Sequence, residues 1–139
     1  MALNPHQTAA QRKLMLDAII ASFNSGIIRV YSGTQPADAD AAVGAGTLLA
    51  ELTLNATAFS APAAVASTAY TVTANAITAD ASANASGTPA WARIFASNGT
   101  TPLMDCTCGL SGTDLIINAS PISSGAPVSA TSLTLTLAV

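Results

Sequence analysis

Few residues of this chain are of a type that does chemistry. Its two cysteines, Cys106 and Cys108, stand two apart in "DCTCG". On a strand, residues i and i+2 share a face. Their Cα atoms then lie roughly 6.5–7 Å apart, at or beyond the upper limit for a disulfide. A zinc site needs two more ligands, and the single histidine, His6, is far away in sequence. Both cysteines therefore read as small buried or half-buried hydrophobes. A Ser-His-Asp site would have to use His6, which reads as a solvated residue at the start of a helix. Asp38 and Asp40 sit in a loop, and Asp80, Asp105 and Asp114 are placed near turns. Nothing fixes two acids across a cleft as a glycosidase requires, and 4% aromatic content argues against a sugar-stacking groove. The spacing of Asp38 and Asp40 matches no EF-hand loop, so turn-forming or solvated acids are expected there. No glycine pattern for a phosphate or dinucleotide is present. The expectation is a protein that is not an enzyme and holds no cofactor or metal.

Charge narrows the partners. Only 8% of residues are charged, against roughly 25% in ordinary soluble domains. The four basic residues are Arg12, Lys13, Arg29 and Arg93, too few and too scattered to neutralise a phosphate backbone. Direct nucleic-acid binding is excluded on that ground. No run approaches 18 apolar residues, and the N-terminus carries charges where a signal peptide needs its apolar stretch. A chain that folds in the cytoplasm of the cell that makes it, with no membrane partner, is expected. Four Asn-x-Ser/Thr tripeptides, at Asn55, Asn84, Asn98 and Asn118, read as products of a composition rich in these residues. The weakly charged Ala/Ser/Thr/Gly surface suits either a protein covered by neighbours or a neutral monomer.

The elements that must position these residues follow from periodicity. Asn4 as N-cap, Pro5 at the first helical position and Gln7 three after the cap predict a helix over roughly 5–24, stopped by Asn24-Ser25-Gly26. Met15, Leu16, Ile19, Ile20 and Phe23 form its apolar stripe, with Arg12, Lys13 and Asp17 off its centre. After Gly26 the period becomes two. Strands are expected over 27–31, 48–54, 70–77, 90–96, 102–108, 114–118 and 128–139, separated by Pro and Gly clusters. In 48–54, Leu48, Ala50, Leu52 and Leu54 share a face opposite Leu49, Glu51 and Thr53. In 90–96, Trp91, Arg93 and Phe95 lie opposite Ala92 and Ile94. Asn98-Gly99 marks a hairpin, the type I′ turn needing positive φ at both central residues. About seven or eight short strands predict a mainly β, single-domain chain: an N-terminal helix in 1–26 and an antiparallel β-sandwich or jelly roll in 27–139.

One long loop, 32–46, carries no such chemistry and leads to a resemblance. The stretches "IIRVYSGTQPADADAAVGAGTLLAELTLNATAF", "ANAITADASANASGTPAWARIFASNGTT" and "DLIINASPISSGAPVSATSLTLTLAV" resemble a family of small tailed-bacteriophage virion proteins. The shared features are Tyr-x-Gly-Thr-Gln-Pro at 31–36, the "TLLAEL" strand, Trp-Ala-Arg at 91–93, and a hairpin at Ser97–Thr100. An Asp-Leu stretch leads to the Thr/Leu-alternating C-terminus. "CTCG" departs from the pattern, since relatives have Val or another β-forming residue in place of a cysteine. The resemblance implies a β-sandwich carried in many copies on the particle surface, assembled in the host cytoplasm. It implies a capsid decoration or minor capsid protein that contacts the major capsid protein or other virion proteins as a homo-oligomer. A tail, collar or head–tail junction component is the alternative, and a carbohydrate- or receptor-binding module a further one. The expected contact residues are Met15, Leu16, Ile19, Ile20 and Phe23 on the helix and Gln35, Asp38 and Asp40 in the loop.

Overall fold

The computed structural model describes residues 3–66 and 69–138. One helix, α1 (Ala9–Ala21), precedes eight strands: β1 (Ile27–Tyr31), β2 (Leu48–Thr53), β3 (Ala63–Ala66), β4 (Ala69–Thr73), β5 (Trp91–Phe95), β6 (Pro102–Gly109), β7 (Leu115–Ile117) and β8 (Ala130–Ala138). Val139, the end of the expected last strand, lies outside the described residues.

The helix begins later than its sequence signals suggest. Thr8, not Asn4, is the N-cap: its hydroxyl accepts from the Gln11 N–H at 3.2 Å and its carbonyl accepts from Arg12. Asn4, Pro5 and Gln7 precede the helix as an exposed arm. Both Asn and Thr can cap, and only one position can start the helix. At the other end the left-handed residue is Ser25, with φ 56°. Gly26 serves close approach instead: a Cβ there would sit 2.6 Å from the Phe95 carbonyl oxygen and 2.7 Å from that of Phe23. The expected stripe divides in two. Leu16 and Phe23 are buried, and Ile20 packs on the core. Met15 and Ile19 stay 45% and 44% exposed.

The strands form a single open sheet in the order β2-β1-β5-β6-β7-β8-β4-β3. Two antiparallel four-stranded halves, β2-β1-β5-β6 and β7-β8-β4-β3, are joined by a short parallel pairing in which Cys108 faces Leu115 and Gly109 faces Ile116. That join is why hydrogen bonding shows one mixed sheet where an antiparallel sandwich or jelly roll was expected. Parallel neighbours ordinarily need a crossover of a dozen residues or more. Here the chain hooks back through 110–114. The hook is held by Asp114, whose carboxylate accepts from the Thr107 N–H at 3.0 Å and its hydroxyl at 2.8 Å.

Buried side chains of both halves belong to one cluster. Ile28 and Val30 of β1, Ala92 and Ile94 of β5, and Cys106 and Cys108 of β6 join Leu115 and Ile117 of β7, Leu133 and Leu135 of β8 and Val72 of β4. The two cysteines are free and buried, as their sequence context suggests. Leu49, placed by alternation with Glu51 and Thr53, is buried too. The register slips between Val30↔Ala50 and Tyr31↔Leu48, leaving Leu49 as a bulge residue. Segment 83–87 covers it, with Leu49 Cδ2 only 2.9 Å from where a Cβ at Gly87 would lie. Strand β3 was not expected, because "AAVA" shows neither alternation nor strong strand formers.

Candidate functional site

Strand β5 is buried on both sides. Ala92 and Ile94 face the shared core, whereas Trp91, Arg93 and Phe95 face the opposite side, as alternation requires. On that outer side the registers Glu51↔Arg29, Arg29↔Arg93 and Arg93↔Asp105 set four charged residues in one row across β2, β1, β5 and β6. Each arginine has its own acid. Arg29 Nε donates to Glu51 at 2.7 Å, and its Nη1 donates to the Gly99 carbonyl at 2.9 Å. Arg93 grips Asp105 with two parallel bonds, Nε to Oδ1 at 2.6 Å and Nη2 to Oδ2 at 2.8 Å. This bidentate geometry is the strong form of the pair, and it raises the Arg93 pKa above its ordinary value.

Loop 32–46 lies on this row. Arg93 Nη1 donates to the Ala41 carbonyl at 2.7 Å and Nη2 to the Asp38 carbonyl at 3.3 Å. The Asp38 carboxylate turns the loop locally by accepting from the N–H groups of Asp40 and Ala41 at 3.1 and 2.9 Å. Asp38 is thus the turn-forming acid that its context suggested. Beneath the loop Tyr31 stacks on Trp91, with centroids 4.7 Å apart and planes at 20°, and the Arg93 guanidinium lies 5.5 Å from the Trp91 ring. Burial raises the Tyr31 phenol pKa. At the returning end of the loop Gly46 approaches so closely that a Cβ would meet the Ser32 carbonyl oxygen at 2.8 Å. Trp91 is fully buried, and its Nε1–H has no hydrogen-bond partner among the described residues. The loop's own residues Gly33–Pro36 and Ala42–Gly46 enclose a cleft of about 440 Å³.

The expected contact residues fall into three groups. Gln35, Asp38 and Asp40 are exposed on the loop, and Met15 and Ile19 are exposed on the helix. Ile20 is half-buried. Leu16 and Phe23 are corrected from contact to interior residues: Phe23 meets Phe59 edge-on at 5.4 Å, and Leu16 is fully buried. The helix and loop groups are not joined by any hydrogen bond or ion pair among the described residues.

The Arg93–Asp105 clasp is the feature that sequence reasoning missed. Asp105 was placed near a turn and instead lies within β6, its side chain 4% exposed. The hairpin tip carries the register centred on Asn98-Gly99, with Ala96 N–H donating to Thr101. Its turn is not type I′, because Asn98 has no positive φ; Gly99 alone does, at 71°. The register then slips between Ile94↔Met104 and Phe95↔Pro102, so that Leu103 bulges and Asp105, not Met104, comes opposite Arg93.

Comparison with family models, with curated protein sequences and with solved structures found no significant match to the chain. Among the described residues no group of three or more His, Cys, Asp or Glu is placed to hold a metal ion. No described helix is long and apolar enough to cross a membrane. The thiols of Cys106 and Cys108 are both raised by burial, Cys108 to about 12, which leaves them poorly nucleophilic at neutral pH. What the arrangement does is present a backbone-anchored loop above a neutralised row of charges.

Proposed function

We propose that this protein is a structural component of a tailed-bacteriophage virion and, within it, a capsid decoration protein. In this role it binds and stabilises the head shell as a homo-oligomer, in contact with the major capsid protein. The reading is non-enzymatic and places the chain on the particle surface. The observation that carries it is the anchoring of loop 32–46. Arg93 takes two backbone carbonyls of the loop and none of its side chains. Gln35, Asp38 and Asp40 are left exposed on a fixed scaffold. A contact loop needs that arrangement: its shape is set from below by Arg93 and within by the Asp38 turn, and Gln35 and Asp40 face outward for a partner. The Tyr-x-Gly-Thr-Gln-Pro entry to the loop and the Trp-Ala-Arg strand under it are also among the segments that carry the resemblance. On this reading the two four-stranded halves are the leaves of the implied sandwich, closing on their shared core.

The test is loading onto particles. Asp38→Asn with Asp40→Ser keeps the local turn and removes both charges. Its unfolding free energy should stay within about 0.5 kcal/mol of the parent, as exposed loop changes usually do, while occupancy on particles lacking the endogenous copy falls. Full occupancy by the variant removes the loop from the contact. Density for the chain at a single vertex of an icosahedral reconstruction, or along the tail, replaces decoration by a head–tail or tail role.

A further inference from the structure

The tip of the β5–β6 hairpin holds Asn98-Gly99, the only Asn-Gly pair in the chain. This dipeptide can react with itself. The Gly99 nitrogen can attack the Asn98 side-chain carbonyl carbon, because glycine carries no side chain to crowd the approach and its backbone turns freely. Asn98 is exposed to water, while Gly99 is buried. In the closed tip the polar groups of both residues are engaged. Asn98 Oδ1 accepts from the N–H groups of Thr100 and Thr101 at 2.9 and 3.0 Å, and Nδ2 donates to the Thr101 hydroxyl at 2.8 Å. The Gly99 N–H donates to the Ala96 carbonyl at 2.9 Å, and the Gly99 carbonyl accepts from Arg29 Nη1 at 2.9 Å.

The turn also holds the reacting atoms apart. The Gly99–Ala96 bond, with no positive φ at Ser97 or Asn98, defines a type I turn over residues 96–99. In such a turn ψ at the third residue, here Asn98, is about 0°. The attack closes a five-membered ring around the Asn98 Cα–C bond, which requires Cβ and the Gly99 nitrogen to eclipse each other. With ψ about 0° the Asn98 backbone nitrogen takes that eclipsed place and Cβ is turned away. We propose that Asn98 is a modification site gated by this hairpin: the closed tip keeps it as asparagine, and the open tip converts it to isoaspartate with water alone. Once open, the Gly99 nitrogen gives its proton to water and bonds to Asn98 Cγ. The Cγ–Nδ2 bond breaks, and ammonia leaves after taking a proton back from water. A second water opens the succinimide at either carbonyl, to aspartate or isoaspartate, and nothing is oxidised or reduced. Aspartate keeps the acceptor that Thr100 and Thr101 use. Isoaspartate instead adds a methylene to the main chain inside the loop closed by the Ala96 N–H on the Thr101 carbonyl at 2.9 Å, and it moves the Gly99 carbonyl off Arg29. The tip then no longer closes in its original register, so an opening event is recorded in the chain. The inference does not rest on the virion reading.

Ageing the full chain in mildly alkaline buffer, with and without guanidinium chloride, tests it by peptide mass mapping and isoaspartyl methyltransferase labelling. In denaturant Asn98 should gain the mass of an acid before any other asparagine of the chain. In the folded chain the same conversion should run at least about tenfold slower, because attack waits on local opening. Chain aged in denaturant, and carrying isoaspartate at position 98, should refold to a lower melting temperature. Asn98→Asp, which brings the charge without the extra methylene, should melt close to the parent. Equal rates in buffer and denaturant overturn the proposal, as does a denatured chain with no label at position 98. An isoaspartyl chain that melts with the parent overturns the claim that the tip fails to reclose.

Discussion

Arg93 ties strand β6, the Trp91 ring and loop 32–46 to one side chain. It pairs with Asp105, lies over Trp91 and holds two carbonyls of loop 32–46. Removing it alone leaves the Asp105 carboxylate, 4% exposed in its side chain, without its cation. Arg93→Ala should therefore lower stability by about 3 kcal/mol, the low end for a broken buried pair because only the loop separates this one from solvent. Arg93→Met with Asp105→Leu removes both charges and should recover most of that loss in a urea melt. Its loop, however, has lost both anchors. A broad-specificity protease should cut the double variant within 33–46 faster than the parent, although the two melt alike. Equal cutting rates would show that Arg93 does not hold the loop. An arginine alternating with Trp91 and Phe95 was legible in the sequence, since period two alone puts the three on one face. Its partner was not, because a one-residue bulge at Leu103 decides whether position 104 or 105 stands opposite, and bulges carry no composition signal of their own.

At the scale of the element, α1 is attached by a narrow seam. Leu16, Ile20 and Phe23 turn inward at spacings of four and three, while Leu14, Met15 and Ile19 remain exposed. The five-residue apolar stripe in the sequence is wide enough for two faces, and periodicity does not say which of them the body covers. The start of the helix was ambiguous for a similar reason, as Asn4 and Thr8 are both good caps. Leu16→Ala should cost about 2–5 kcal/mol in denaturant unfolding, the usual range for emptying a buried leucine site. Met15→Gln with Ile19→Gln should stay within about 0.5 kcal/mol in the isolated chain. If the glutamine variant is the more damaging of the two, the helix docks by its other face. Strand β1 and the body of β2, by contrast, stand where the sequence pattern placed them, because Ile28 and Val30 of β1 and Leu52 of β2 are buried in the core.

At the scale of the whole molecule the seam between the two halves matters most, and it was invisible in the sequence. A hook of five residues between β6 and β7 gives no hint that the strands it joins run parallel. Cys106 and Cys108 lie at this seam and face the core that the halves share. Their burial links folding to alkaline pH. An unfolded thiol ionises near 9.0, whereas Cys108 in the folded chain is held up to about 12, and Cys106 is raised by burial as well. Between these values the unfolded chain binds fewer protons than the folded one. Stability is therefore complete below about pH 9 and falls as pH rises. The slope approaches about 1.4 kcal/mol per pH unit for each thiol that must stay protonated in the fold. Tyr31, raised from 10.0 mainly by burial, adds to the loss above pH 10. Urea melts at pH 8, 9, 10 and 11 should show the parent losing several kcal/mol across the series. Cys106→Ala with Cys108→Ala should give a nearly flat profile to pH 10, whatever the replacement costs at neutral pH, and bend only where tyrosine begins to ionise. A parent whose stability is the same at pH 8 and pH 10 would place both thiols in contact with water. The core would then not run continuously through the β6–β7 seam.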